Sequence, residues 1–184
     1  MIKTLGLAAL AAGLIASPAL AASKLTVETS KGCSFDITLR PDLAPKHVAQ
    51  ITKLAKAGFY DGVVFHRVIE GFMAQTGDGQ YGRVGGDTSR AGMGGSDEPD
   101  IPAEFTKEHY ARGTVGMART QDPNSANSQF FIMFDDGGFL DGQYTVWGQV
   151  DGAGMACVDQ IKKGDQAQNG LVIDPDSMTK VTVK

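Results

Sequence analysis

The side chains that could do chemistry cluster first in residues 63–78, VVFHRVIEGFMAQTGD, where His66 and Arg67 interrupt an apolar run. The run has the composition of a buried strand, in which successive side chains point to opposite faces of a sheet. On either face the charge of Arg67 would lie among large apolar neighbours. A buried charge is unfavourable unless it is paired or has a function. Arg67 is therefore predicted either to form an ion pair, with Glu70 or Asp78, or to act on a bound molecule.

Two glutamines and several large apolar side chains accompany Arg67 at strand-like positions. Such a combination is typical of an apolar pocket that contains few hydrogen-bonding groups, although each residue alone is more often part of a core. The residues that we expect in this pocket are Arg67, Gln75, Gln129, Phe72, Met73, Phe131, Phe139 and Leu140.

Residues suited to covalent or metal chemistry are poorly placed in the sequence. His47, His66 and His109 lack the spacing of a metal site, and no serine lies in a nucleophile motif. GDGQYG at residues 77–82 matches a dinucleotide fingerprint, but no helix pattern follows it. The sequence therefore predicts chemistry without nucleophile, metal or cofactor. The glycine-rich residues 77–102 are expected to form a largely structureless loop along one side of the site.

The elements that must position these residues are short. Eight strand-like runs are predicted, at residues 24–29, 33–39, 63–69, 72–76, 113–118, 128–134, 144–150 and 180–183. Two helices are predicted, over residues 45–56 and 154–162. This pattern lacks the strand–helix alternation of a parallel sheet. We therefore expect a mainly β fold, a closed eight-stranded antiparallel β-barrel capped by two α-helices, in a single domain.

The first 21 residues, MIKTLGLAALAAGLIASPALA, have the features of a cleaved export signal. Lys3 precedes an apolar stretch that is too short to span a membrane, and Ala19 and Ala21 form a small-x-small cleavage pattern. We expect cleavage after Ala21, which leaves residues 22–184 as a soluble periplasmic domain, with secretion as the alternative, and no membrane attachment. The net charge of −4, without a basic block, argues against nucleic acid as a partner. We expect a monomer.

Two cysteines, Cys33 and Cys157, would lie in an oxidising compartment after export, where a disulfide is permitted. Both are in apolar-patterned segments, which favours buried free thiols over a bridge. A bridge remains open because the sequence does not give the Cα separation on which it depends.

Three blocks of sequence resemble the cyclophilin family of peptidyl-prolyl cis-trans isomerases, in its bacterial exported branch: FHRVIEGFMAQTGD (65–78), ARTQDPNSANSQFFI (118–132) and FLDGQYTVWGQV (139–150). The resemblance covers essentially the whole mature chain. It implies the capped barrel, no cofactor, and proline-containing segments of unfolded or exported proteins as partners. It also implies that Arg67 and Gln75 are catalytic. The residues that it implies for substrate binding are His66, Phe72, Met73, Ala118, Arg119, Gln129, Phe131, Phe139, Leu140 and Tyr144.

Two positions depart from many eukaryotic members of that family. Phe139 stands where those members have tryptophan before the L-D-G turn, and Tyr144 stands where they have histidine. Loss of the indole N–H implies that the inhibitor cyclosporin binds weakly at most, although catalysis need not suffer. Trp147 does not replace the missing tryptophan and is expected in the core.

Arg67 suits rotation about an X–Pro bond because this reaction needs no proton transfer. The planar bond has a barrier of about 18–20 kcal/mol, and in the twisted transition state the proline nitrogen regains a lone pair. A donor aimed at this nitrogen binds the transition state better than the ground state. We therefore predict an isomerase that assists the folding of exported proteins. One alternative is a module or holdase that binds proline segments without turnover, and another is a redox protein that uses Cys33 and Cys157.

Overall fold

The structure is a computed structural model that describes residues 24–184, so the expected export signal and its cleavage site lie outside the described residues. Within this range the two α-helices are α1 (Pro45–Lys56) and α2 (Gly152–Val158). The nine strands are β1 (Lys24–Thr29), β2 (Ser34–Leu39), β3 (Val63–Val64), β4 (Arg67–Ile69), β5 (Met73–Thr76), β6 (Thr114–Met117), β7 (Phe130–Met133), β8 (Val146–Val150) and β9 (Ser177–Val183).

All nine strands belong to one antiparallel sheet with the order β3-β9-β1-β2-β8-β6-β7-β5-β4. The two edge strands, β3 and β4, are joined along the chain by Phe65 and His66 alone. The edges of the sheet must therefore lie side by side, which curls the sheet into a barrel. The predicted mainly β fold with an antiparallel barrel and two helices is confirmed.

The predicted count of eight strands is wrong because residues 63–69 form two strands instead of one. β3 pairs with β9, through Val63 opposite Met178, whereas β4 pairs with β5. Phe65 and His66 form the corner where the chain leaves one edge of the sheet and joins the other. The corner places Arg67 at the start of an edge strand, next to its neighbour β5.

The two helices bury their apolar sides against the sheet. α1 has the predicted bounds and packs Val48, Ile51 and Leu54 inward, with contacts to β9 and β8. α2 begins at Gly152 rather than residue 154, because the side chain of Asp151 caps it by accepting from the Gly154 N–H at 2.7 Å. It ends at Val158 rather than residue 162, because the chain continues in tighter turns.

The core agrees with the apolar pattern of the strands. Trp147 is fully buried, as expected, and packs edge-to-face on Phe130 with ring centroids 5.3 Å apart. Within residues 24–184, no helix combines the length and the apolar character that crossing a membrane requires.

Cys33, which follows the turn after β1, and Cys157 in α2 form a disulfide with their Cα atoms 5.8 Å apart. The expectation of buried free thiols is therefore wrong. Cys157 is only 4% exposed, and the hydroxyl of Thr29 lies 3.5 Å from one sulfur and 3.7 Å from the other. Such shielding is typical of a structural crosslink and argues against the redox alternative.

Candidate active site

Arg67 is held in a fixed orientation by two residues. Its guanidinium donates through Nε to the carbonyl oxygen of Asn169 (3.0 Å) and through Nη2 to Asn169 Oδ1 (2.9 Å). Nη1 donates to Gln75 Oε1 (3.2 Å), which lies opposite on β5. In the described part of the chain no carboxylate forms a salt bridge with Arg67, so the alternative ion pair with Glu70 or Asp78 is absent. Partial burial lowers the pKa of Arg67 from its ordinary value.

Gln75 is itself oriented by a chain of hydrogen bonds. Gln75 Nε2 donates to Gln129 Oε1 (3.0 Å), and Gln129 Nε2 donates to the carbonyl oxygens of Gly92 (2.9 Å) and Gly94 (2.7 Å). The amide N–H groups in this series of hydrogen bonds point away from Arg67, so the side-chain oxygen of Gln75 faces the guanidinium. The loop that follows β5 therefore fixes the position of the arginine through two glutamines.

The loop over residues 77–102 is ordered by the buried carboxylate of Asp78. Its Oδ1 accepts from the N–H groups of Gln80 (3.0 Å) and Tyr81 (2.9 Å), and its Oδ2 accepts from those of Gly92 (2.8 Å) and Gly94 (2.9 Å). As expected, this loop contains no α-helix and no strand of the sheet, only the short 3₁₀ helix Thr88–Arg90, but it is ordered because one buried acid satisfies four backbone donors. The loop does border the predicted site residues, since Gly92 and Gly94 line a cavity together with Gln75.

A cavity of about 350 Å³ opens beside the guanidinium, and most of its lining side chains are apolar. Every residue that lines it belongs to the set chosen from the sequence. These residues are Arg67, Phe72, Met73, Gln75, Ala118, Arg119, Phe131, Phe139, Leu140 and Tyr144. The cavity therefore has mostly apolar walls, with Arg67, Gln75 and Arg119 as its charged and amide groups.

Phe131 forms the floor of this cavity and is fixed by aromatic neighbours. Tyr110 stacks on Phe131 with centroids 5.8 Å apart and an interplanar angle of 21°, and Tyr144 meets its edge at 5.8 Å and 85°. Phe139 leans on Phe72 at 5.5 Å but is 64% exposed. A rigid floor and an exposed rim suit a site that grips a small apolar ring.

Two of the predicted site residues lie next to the cavity rather than on its wall. His66 packs against Gly92 behind Arg67 and is 5% exposed, and burial lowers its pKa to about 4, so that the imidazole is neutral at pH 7. Gln129 lines a second cavity of about 140 Å³, which shares Gln75, Ala118 and Arg119 with the first. Gln129 therefore supports the first cavity through its hydrogen bond to Gln75.

The sequence analysis missed three residues that build the site: Asn169, Asp78 as an anchor, and Tyr110. Asn169 has a left-handed backbone (φ 55°), which asparagine tolerates, and the sequence signal for it was only an Asn-Gly turn. Asp78 follows β5 directly among glycines, a position that could have indicated a loop anchor. For Tyr110 the sequence offers no local signal, because its partner Phe131 is distant along the chain.

His109 clasps the short 3₁₀ helix Gly138–Leu140, which carries Phe139 and Leu140. Its Nε2 lies 2.7 Å from Asp136 Oδ2 and its Nδ1 lies 2.8 Å from Asp141 Oδ2. Ionised carboxylates only accept, so both contacts require the doubly protonated imidazolium. Accordingly, the hydrogen bonds to Asp141 and Asp136 raise the pKa of His109 above its ordinary value.

We expect this clasp to loosen at alkaline pH. Because the pKa of His109 is higher in the folded than in the unfolded protein, its stabilising effect is complete below about pH 6.5 and is lost as pH rises through the folded value. Hydrogen-exchange protection of the Gly138 and Leu140 amides should fall over that range. The variant His109→Gln, which cannot titrate, should show low protection at every pH, and a wild type whose protection does not change with pH would contradict the clasp.

Comparison with known proteins gives a consistent result. The family model described as "Cyclophilin type peptidyl-prolyl cis-trans isomerase/CLD" matches residues 24–183. A probable peptidyl-prolyl cis-trans isomerase of Brucella suis is 65% identical over 150 residues, which make up 80% of this chain and 76% of that protein. A peptidyl-prolyl cis-trans isomerase of Helicobacter pylori is 38% identical over 141 residues, 76% of this chain and 80% of that protein.

Solved structures agree with the fold. The cyclophilin AquaCyp293 of Hirschia baltica superposes with a TM-score of 0.69 and 28% identity, over 86% of this chain and 73% of that one. A cyclophilin type isomerase of Cryptosporidium parvum, solved in the presence of the dipeptide Ala-Pro, has a TM-score of 0.73 at 23% identity, over 88% of this chain and 98% of that one. The second likeness concerns the fold alone.

Proposed function

Because the chain belongs to the cyclophilin family and is a peptidyl-prolyl cis-trans isomerase, we propose that the apolar cavity beside Arg67 is its active site and that it acts on exported proteins. The observation that carries this assignment is the guanidinium of Arg67, which lines a cavity of mostly apolar side chains and has no carboxylate partner among residues 24–184. A charge held in this way is available to a bound amide.

The substrate proline ring would occupy the cavity between Phe72, Met73 and Phe131. Asn169 and Gln75 engage the Nε, Nη1 and Nη2 atoms of Arg67, but one of the two Nη2 hydrogens has no hydrogen-bond partner in residues 24–184. That hydrogen can donate to the proline nitrogen when rotation removes amide resonance and restores the lone pair. The interaction strengthens only as the bond twists, which is the condition for catalysis.

The apolar walls of the cavity also favour the transition state of rotation. A planar amide is more charge-separated than a twisted one, so an apolar surrounding disfavours the ground state relative to the transition state. An acceleration of about 10⁶ requires roughly 8 kcal/mol, whereas one charged hydrogen bond supplies about 1.5–3 kcal/mol. Desolvation of the amide and its positioning on Phe131 must therefore supply most of the effect.

The proposed site is tested by NMR exchange spectroscopy on a capped Ala-Ala-Pro-Phe peptide with the purified protein. We expect cis–trans exchange to accelerate, and we expect intermolecular contacts from the proline ring protons to Phe131 and Met73. Binding of the peptide without faster exchange would instead favour the module or holdase alternative. Acceleration with contacts elsewhere on the barrel would place the active site outside this cavity.

We further infer that the protein is a monomer of the bacterial exported branch of the family. The Cys33–Cys157 bridge supports export, because disulfides persist in oxidising compartments. Fractionation of bacterial cells that express the full 184-residue chain should place the protein in the periplasm. Its measured mass should correspond to residues 22–184, with Ala22 as the first residue. A chain that retains residues 1–21 in the cytoplasm would contradict this proposal.

Cyclosporin is expected to bind weakly, because Phe139 has no donor at the rim of the cavity. Phe139→Trp should raise the affinity about tenfold, since one added hydrogen bond contributes about 1–1.5 kcal/mol. Isothermal calorimetry on the wild type, Phe139→Trp and Phe139→Leu would separate the effect of the indole N–H from that of side-chain replacement. Equal affinities in all three proteins would show that the rim residue is not what limits binding.

A further inference from the structure

The two cavities that meet at Gln75 together form the proposed substrate groove, and its charged side chains are positive although the protein as a whole is acidic. Arg67 and Arg119 line these cavities, and no aspartate or glutamate does. The formal net charge of the chain is −4. Neither arginine takes part in a salt bridge with any residue in the range 24–184. Of the other four arginines, Arg40 and Arg112 form salt bridges with acidic side chains, whereas Arg83 donates to backbone carbonyls and Arg90 to the Tyr81 hydroxyl.

Arg119 is held rigidly at the ridge between the two cavities. Its Nε and Nη2 donate to the carbonyl oxygen of Gln143 (3.3 and 2.9 Å), and its Nη1 donates to that of Thr120 (2.8 Å). The guanidinium carbon lies 4.4 Å from the ring centroid of Tyr144, and a weaker contact of 6.0 Å joins it to Phe105. A stacked guanidinium with fixed hydrogen bonds loses little entropy when it binds a ligand.

The hydrogen bonds of Arg119 leave part of its capacity unused. A guanidinium has five N–H donors, and three are engaged, so one hydrogen on each terminal nitrogen lacks a partner within the described residues. Carbonyl oxygens also leave the positive charge uncompensated. The group is thus ready to bind an anionic oxygen pair, and carboxylate is the protein side-chain group that provides one.

The position of Arg119 indicates which part of a substrate it meets. Ala118 and Arg119 line both cavities, so they lie between the site of the proline ring and its continuation toward Gln129. Tyr144 connects Arg119 with the proposed proline cavity. The Arg119 guanidinium stacks on the Tyr144 ring, and the same ring contacts Phe131, the floor of that cavity. The proline nitrogen would face Arg67 and Gln75, and Gln75 also lines the second cavity. The residue joined to that nitrogen, which is the one before the proline, therefore passes within reach of the Arg119 guanidinium.

We propose that Arg119 is a specificity-determining residue that selects substrates with glutamate or aspartate immediately before the proline. The proposal rests on the proposed active site and deepens it, since it assigns a substrate class to the same groove. Tyr144 acts as the platform that keeps the guanidinium in place. The overall negative charge of the protein repels acidic segments, so this preference must come from the groove itself.

The experiment compares kcat/KM for two capped peptides, acetyl-Ala-Glu-Pro-Phe-amide and acetyl-Ala-Gln-Pro-Phe-amide, by NMR exchange. We expect the wild type to favour the glutamate peptide about fivefold at low salt, with a smaller ratio at high salt, as for a partly exposed ion pair. Arg119→Gln should lower the ratio to one or below. Arg112→Gln is the matched control, because Arg112 is paired with Asp159 outside both cavities and its loss changes the net charge equally. It should keep the wild-type ratio.

The outcomes separate the inference from the proposed function. If neither peptide is turned over faster than in buffer, the proposed active site fails. If both are turned over equally well by the wild type, the site stands, Arg119 only braces Tyr144, and the inference is overturned. A preference that persists in Arg119→Gln, or that disappears in Arg112→Gln, would also overturn it, because the selection would then depend on something other than this side chain.

Discussion

Replacing Arg67 by alanine is expected to lower kcat/KM for an X–Pro peptide by about 10²–10³-fold, the range found when one preorganised donor to a transition state is removed. The loss should appear in kcat rather than in KM, because the hydrogen bond to the proline nitrogen forms only as the amide twists. The ring would still be bound by Phe131 and the other apolar walls. NMR exchange at several peptide concentrations measures both constants.

Arg67→Lys tests geometry separately from charge. A lysine at this position retains the positive charge, but its single ammonium group cannot contact Asn169 and Gln75 while donating to a substrate as the guanidinium fork does. We expect most of the activity to be lost in this variant as well. Arg112→Ala, which removes a surface arginine paired with Asp159, should retain full activity.

Thermal unfolding must accompany these assays, because Arg67 also ties β4 to the segment around Asn169. A folded Arg67→Ala protein that binds peptide but rotates it slowly supports the transition-state role. Equal activity in the wild type and Arg67→Ala would show that Arg67 is structural and that the apolar cavity acts without it.

The sequence predicted those parts of the fold in which a local pattern decides the structure. α1 has the predicted bounds because Pro45 sets its start and an apolar stripe sets its buried face. The break at His66 was not predictable from residues 63–69, since the composition of this run suits one strand as well as two. What divides it is pairing with β9 on one side and β5 on the other, and these partners are distant in sequence.

The candidate site shows the same division between local and distant causes. The lining of the cavity follows from side-chain type and from the resemblance to a family, so all of its residues were in the predicted set. The residues that orient this lining were missed because they contact it from distant parts of the sequence, as Asn169 does when it accepts a hydrogen bond from Arg67. The alternative ion pair of Arg67 was not excluded by the sequence for the same reason. The disulfide depended on a Cα separation that only the fold provides.

Reduction of the Cys33–Cys157 bridge is expected to lower the free energy of unfolding by about 3–5 kcal/mol. The bridge joins residues 124 positions apart, so it removes many conformations from the unfolded chain, and the stabilisation grows with the length of the closed loop. Urea unfolding of the same purified protein, oxidised and after reduction in the unfolded state, measures the difference without any change of sequence. The midpoint should fall on reduction.

The double variant Cys33→Ser/Cys157→Ser provides the control, because its stability should match that of the reduced protein and should not respond to reductant. The hydroxyl of Thr29, which contacts both sulfurs, can hydrogen-bond to the introduced serine at the buried position. Neither cysteine lines a cavity of the proposed active site, so isomerase activity well below the unfolding temperature should be the same in both redox states. Unchanged stability would show that loop closure contributes little here. Loss of activity on reduction in a protein that remains folded would mean that the bridge regulates the site and would reopen the redox alternative.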